Sequence, residues 1–195
     1  MYKALAVIIR LIMILFSGLE VEGLENIPAE GGAIIAANHA SWFDPVAIAV
    51  ALRRPVHFMA KAELFEKPIL KWFFTKVHAF PVKRGMADRG AIRTAQERVR
   101  AGHLLGIFPE GTRNPDSEEL LPLQGGAALI ALKTGVPVIP VVTQNVNPVR
   151  FRQKIRVVIG EPIDLGGPKR ANKPAVAEAS GLISKQISGL LRRNI

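Results

Sequence analysis

The stretch Ala33-Ile34-Ile35-Ala36-Ala37-Asn38-His39-Ala40-Ser41-Trp42-Phe43-Asp44 decides the fold. Five consecutive apolar residues, then polar turn formers, then a helix-length amphipathic segment from Trp42, describe a buried strand that hands over to a helix. The same alternation recurs beyond Leu19. Short apolar runs predict strands at 33–37, 56–60, 79–82, 104–108, 137–143 and 155–160. Helical spacing predicts helices over 42–52, 68–76, 87–101, 125–134 and 174–193, with Gly102 and Gly135 where C-cap glycines belong. Strands alternating with helices specify an α/β layer fold.

The chain has 195 residues, enough for one domain with extensions but short of two. Its 49% apolar and 22% charged residues suit a globular core and exclude a disordered tail protein. With no cysteine there can be no disulfide, thiolate nucleophile, zinc-thiolate or iron–sulfur site. The net charge of +10 points to an anionic partner. Charge is concentrated: residues 53–103 hold twelve Lys/Arg against four Asp/Glu, so +8 of the total lies there. Over 87–101, Arg89, Arg93, Gln96 and Arg100 share one helix face opposite Ile92, Ala95 and Val99. Segment 67–76 mixes lysines with Trp72, Phe73 and Phe74, which fits an anionic membrane surface and equally a core helix with polar flanks.

Residues 4–16, ALAVIIRLIMILF, are apolar except for Arg10. A bilayer crossing needs about 20 apolar residues, so this segment is too short and too interrupted to span. It is read as a helix in the membrane interface, with Lys3 and Arg10 reaching toward headgroups. A secretory signal peptide cut near Ser17-Gly18 and an ordinary buried first helix are the rival readings. The C-terminal segment, with Val176, Leu182, Ile183, Ile187, Leu190 and Leu191, reads as a core-packing helix.

Chemistry-bearing residues follow several of the predicted strands. His39 comes after 33–37, and Asp44 lies five residues on, in the first turn of the next helix. Ser41 and Asp44 fit a capping box, in which Asp44 only complements the helix dipole. That account leaves His39 unexplained, and the carboxyl ends of strands are where open α/β sheets place ligands. A carboxylate on one ring nitrogen fixes the tautomer and leaves the other nitrogen to take a proton, so the pair reads as a general base with its orienter. After 104–108 comes Phe108-Pro109-Glu110-Gly111-Thr112-Arg113. With Gly106 it imitates half of a phosphate loop, but Thr112-Arg113 replaces Lys-Ser/Thr and Pro109 removes an amide. What remains is a loop presenting a carboxylate, a hydroxyl and a guanidinium, or a tight turn with Glu110 and Arg113 paired. Strand 79–82 leads to Lys83-Arg84-Gly85 and strand 56–60 to Lys61. Arginine grips phosphate with a bidentate fork and lysine adds a point charge, although singly each is an ordinary surface cation.

Four blocks stand in order: Asn38-His39-Ala-Ser41-Trp-Phe-Asp44, Ala79-Phe-Pro-Val-Lys83-Arg84-Gly85, Phe108-Pro-Glu110-Gly111-Thr112-Arg113 and Val136-Pro137-Val138-Ile139-Pro140-Val141. Together they resemble the glycerolipid acyltransferases, most closely the 1-acylglycerol-3-phosphate acyltransferases, over about residues 19–160. The second block departs from the family pattern, which carries Ile or Val before an Asp/Arg-type pair; Arg84 is aligned with the family's basic residue. The resemblance implies a single layered α/β domain over 19–195, with a mixed, largely parallel central sheet flanked by helices, preceded by an apolar helix over 1–18. It implies transfer of an acyl group from acyl-CoA or acyl carrier protein to the sn-2 hydroxyl of lysophosphatidate, giving phosphatidate for phospholipid biosynthesis. No metal or cofactor is expected, the acyl donor being a co-substrate. His39 and Asp44 are then catalytic, and Arg113, Arg84 and Lys61 hold the acceptor's phosphate. Glu110 contacts its glycerol or orients Arg113; Gly111 and Thr112 complete the loop, with N–H groups near Gly111 facing the oxyanion. Strand 136–141 shapes the acyl site. A thioester is already activated, so direct attack agrees with the lack of Cys and of a Gly-x-Ser-x-Gly elbow.

Substrates that are anionic amphiphiles imply a membrane-associated protein, at the cytoplasmic face of the cell membrane, with the phospholipid surface as partner. Another acceptor, such as glycerol 3-phosphate or another lysophospholipid, would keep the same residues. A noncatalytic module for anionic lipid or nucleic acid is the rival from another class. Nucleic acid is disfavoured, because two Trp and one Tyr offer few stacking platforms.

Overall fold

The computed structural model describes residues 2–83, 88–115, 119–168 and 170–193. In chain order the elements are α1 (Tyr2–Phe16), β1 (Leu19–Glu22), β2 (Ala33–Ala37), α2 (Asp44–Ala51), β3 (Val56–Lys61), α3 (Pro68–Lys76), β4 (Phe80–Val82), α4 (Arg89–Arg100), β5 (Leu104–Ile107), α5 (Gly126–Thr134), β6 (Val138–Gln144), β7 (Ile155–Ile159) and α6 (Lys173–Arg193). The strands form one seven-stranded sheet in the order β1-β7-β6-β2-β5-β3-β4. Among the described residues the strand pairs are parallel except β6–β7, so the expected mixed, mostly parallel sheet is present.

The sheet separates two apolar cores. Alternation along β2 sends Ala33, Ile35 and Ala37 into the core formed with α1 and α2, and Ile34 and Ala36 into the core formed with α4, α5 and α6. Helices α2 and α5 thus cover opposite faces, although each follows one of two neighbouring strands, β2 and β5. At such a reversal of winding, the carboxyl ends of the two strands open a crevice. Both loops singled out in the sequence emerge there.

Several boundaries move for local reasons. Helix α2 starts at Asp44 and not Trp42, because Ser41 and Phe43 are held in a turn by their own hydrogen bonds. Asp88 caps α4 by accepting the Ala91 N–H at 2.9 Å, which sets that helix's start at Arg89. Strand β1 is absent from the sequence reading: four residues with two glutamates look like a linker. It exists because it pairs with β7, Leu19 opposite Ile155, and because Glu22 reaches Arg156 at 2.6 Å. Gly106 lies inside β5 beneath the Phe58 ring, where a Cβ would clash, and belongs to no phosphate loop.

Helix α1 buries Met13 and leaves Val7, Ile8, Leu11, Ile12 and Leu15 exposed, the last by 80%. This excludes an ordinary buried helix. Arg10, expected to reach toward headgroups, instead donates to the Val50 carbonyl at 3.3 Å, one of the acceptors that the end of α2 leaves unpaired. Helix α3 has no buried residue; Ile69 is 81% exposed and Trp72 57%. It is therefore no core helix. Helix α6 packs Ala179, Ile183, Ile187 and Leu191 into the core at a spacing of four, while Leu182 faces solvent. No helix among the described residues is long and apolar enough to cross a membrane.

Candidate active site

His39 lies two residues beyond β2, and its Nδ1 is 2.8 Å from Asp44 Oδ2. Asp44 is 0% exposed and His39 4%. The same Oδ2 accepts the Ser41 N–H at 2.7 Å, and Oδ1 accepts the Thr143 hydroxyl at 2.7 Å. Only half of a capping box forms, since Ser41 Oγ takes the Phe43 N–H and not that of Asp44. Burying a carboxylate is costly unless donors replace its water, and three do so here. An ionised carboxylate can only accept, so Nδ1 carries a proton in this bond and Nε2 of the neutral ring is an acceptor. Nε2 makes no hydrogen bond among the described residues.

The second loop wraps the first. Glu110 is buried; its Oε1 accepts the His39 backbone N–H at 2.9 Å and its Oε2 the Leu121 N–H at 3.1 Å. The Asn114 N–H donates to the His39 carbonyl at 2.6 Å. Glu110 thus ties loop to loop through backbone and makes no pair with Arg113. The Arg113 guanidinium lies 4.3 Å over the Trp42 ring, which brings it onto the loop of His39 and Asp44. Gly111 has φ +72°, and a Cβ there would strike Gln124. Its N–H is taken by the Phe108 carbonyl at 3.0 Å, whereas the exposed Thr112 and Arg113 have N–H groups with no bond among the described residues. Lys61, at the end of β3, is exposed and paired with Glu63 at 3.1 Å. Arg84 lies outside the described residues. No cluster suited to a metal ion occurs among the described residues.

Sequence reasoning missed Thr143, Asn38 and Phe108. Asn38 closes onto β6, its amide donating to the Thr143 carbonyl at 3.2 Å and accepting the Thr143 N–H at 2.9 Å. Thr143 is the lone hydroxyl of its strand and follows five apolar residues near the carboxyl end, and that position was the available signal. The Phe108 ring stacks on His39 with centroids 4.1 Å apart. Phe108 also lines a groove of about 950 Å³ between α4 and α5. Its apolar lining includes Met59, Ile92, Ile107 and Leu129, and Lys83, Arg89, Arg93 and Lys133 also line it. The basic face of α4 therefore borders a cavity.

An imidazole held by a buried carboxylate, at the switch point of an α/β sheet and beside an apolar groove with cations, defines a transferase site suited to moving an activated acyl group onto an alcohol. The chain belongs to the acyltransferase family: the family model described as Acyltransferase matches residues 18–144. It is 34% identical over 199 residues to the 1-acyl-sn-glycerol-3-phosphate acyltransferase of Bacillus subtilis (strain 168), covering 98% of both chains. The chloroplastic 1-acyl-sn-glycerol-3-phosphate acyltransferase BAT2 of Brassica napus is 32% identical, over 85% of this chain and 52% of that one. The lyso-ornithine lipid O-acyltransferase of Pseudomonas aeruginosa is 37% identical, over 54% of this chain and 40% of its own. The crystal structure of the LPA acyltransferase PlsC from Thermotoga maritima superposes with a TM-score of 0.75 at 29% identity, over all of this chain and 82% of that one.

Proposed function

We propose that the protein moves a fatty acyl group from acyl-CoA or acyl carrier protein to the sn-2 hydroxyl of 1-acylglycerol 3-phosphate, forming phosphatidate. The observation that carries this reading is the 2.8 Å His39–Asp44 bond, with Nε2 left without a hydrogen bond among the described residues and the ring stacked on Phe108, which lines the groove. Nε2 takes the hydroxyl proton as the oxygen attacks the thioester carbonyl, and returns it to the departing thiolate. Asp44 holds the ring and balances the charge it takes on. The N–H groups of Thr112 and Arg113 face the oxyanion in place of the spent Gly111 amide. Arg113 and Arg84 grip the acceptor's phosphate, and Lys61 joins them if it leaves a surface pair worth at most about 1 kcal/mol. Glu110 acts by fixing the His39 backbone. The donor's acyl chain occupies the α4–α5 groove, with the cations along it facing the donor's phosphates or an acidic carrier.

Both lipid substrate and product reside in a bilayer, and the exposed apolar faces of α1 and α3 suit attachment to the cytoplasmic face of the cell membrane. Lys67, Lys71 and Lys76 on and before α3 add attraction to anionic lipid. The lyso-ornithine lipid relative supports a second reading, in which the acceptor is another lysolipid. Thiol release assayed with each donor against lysophosphatidate, glycerol 3-phosphate and other lysolipids decides between them. Turnover is expected with lysophosphatidate; turnover confined to another acceptor rejects the first reading.

A further inference from the structure

A second cavity, of about 470 Å³, lies on the opposite face of the sheet from the α4–α5 groove. Its walls are Ile12, Met13 and Phe16 of α1, Phe43 of the His39 loop, and Val146 and Val149 after β6. Ser41 also lines it, and the Ser41 N–H shares Asp44 Oδ2 with the His39 ring. One end of this cleft therefore touches the catalytic loop. The other end is continuous, along the same helix, with the exposed apolar face of Val7, Ile8, Leu11 and Leu15. The cleft is mostly apolar, and none of its lining residues is Lys, Arg, Asp or Glu.

We propose that this cleft receives the acyl chain that the acceptor already carries. The inference rests on the acyl-transfer reading above and assigns one chain to each face: the donor's chain to the α4–α5 groove, the acceptor's to the α1 cleft. Each cavity is lined by a neighbour of His39: the groove by Phe108, whose ring stacks on it, and the cleft by Ser41 and Phe43 of its loop. A lysolipid leaving a bilayer must keep its chain out of water while its hydroxyl reaches Nε2. A cleft running from the exposed face of α1 to the His39 loop meets that need without the two chains crossing. The bound chain also restricts how the glycerol presents its hydroxyl, which favours the reacting orientation.

Two measurements test this. Photo-crosslinking uses the wild-type protein on anionic vesicles with a lysophosphatidate bearing a diazirine in its acyl chain; adducts are expected on residues 12–16 and 146–149. Adducts in the α4–α5 groove, or on surrounding lipid alone, overturn the assignment. The second measurement compares kcat/KM for long-chain and short-chain lysophosphatidates. Val149→Trp, which fills the cleft away from the outer face of α1, should lower the long-to-short ratio about tenfold, and an unchanged ratio in a folded variant counts against the cleft. If the wild type labels in the cleft yet acylates only some other lysolipid, the lysophosphatidate reading fails while the chain assignment stands.

Discussion

Asp44 has its carboxylate wholly out of water and held by three donors, two from the loop after β2 and one from β6. Oδ1 depends on Thr143 alone among the described residues. Removing that hydroxyl leaves a buried oxygen short of a partner and frees the carboxylate to rotate away from His39. Thr143→Val should therefore lower kcat between about 10- and 100-fold with little change in KM, because a misplaced base impairs proton removal more than binding. Thr143→Ser should restore most of the loss; equal losses in both variants would make the role one of packing. His39→Ala should lower transfer by at least about 100-fold while vesicle sedimentation stays intact, since His39 is buried and adds nothing to the exposed apolar surface of α1 and α3. Transfer retained in that variant would remove His39 as the base.

At the scale of elements, α3 has an unusual composition for its position. Its Ile69 and Trp72 are 81% and 57% exposed, so these side chains contribute little to folding, whereas Phe73 packs edge-on against Phe74. Surface substitutions away from special features change stability by about 0.5 kcal/mol or less. Ile69→Glu combined with Trp72→Glu should accordingly leave the thermal midpoint nearly unchanged. Sedimentation with anionic vesicles should fall, because two apolar contacts are replaced by charges that repel the surface. Undiminished sedimentation would assign attachment to α1 without α3. Helix α4 uses its charge differently: its apolar stripe of Ala91, Ala95 and Val99 is buried, while Arg89, Arg93 and Gln96 face a cavity.

For the molecule as a whole, three of the four histidines share one ring column far from His39. Tyr2 meets His78 at 5.2 Å, His78 meets His57 at 4.8 Å, and His57 meets His103 at 4.4 Å. The column joins the first turn of α1, the turn after α3, the start of β3 and the turn before β5. Burial, and then His103, His78 and Arg98, push His57 down to about 4. Burial and Arg98 lower His78 as well. A histidine held below its unfolded value stays neutral in the fold, and the unfolded chain takes up the proton first. Its contribution to stability is thus complete above pH 6.5 and is lost as the pH falls toward 4. Over that window the loss amounts to no more than about 3 kcal/mol. His57→Phe keeps a ring in the column and removes the proton site together with a buried Nδ1 that has no hydrogen-bond partner among the described residues. Denaturant midpoints at pH 7.5 and 5 should therefore differ less in this variant than in the wild type; equal differences would exclude His57 as a source of acid sensitivity.

The alternation of strand and helix and the five-residue reach from His39 to Asp44 were legible because both are local: periodicity records which side of an element is buried, and one turn cannot carry a side chain far. Lys61 and Arg113 were equally visible as cations, but the fold separated them, pairing one with Glu63 and laying the other over Trp42. The sequence by itself determined the layer architecture, the pairing of His39 with Asp44 and the glycine-hinged loop. Tertiary structure alone decided that Thr143, about a hundred residues away in the chain, completes Asp44, that Glu110 binds backbone, that β1 is a strand, that α3 faces outward, and that the neighbours Phe108 and Ser41 of His39 line two separate cavities. Those outcomes depend on which distant surfaces exclude water from one another, and no local pattern encodes that choice.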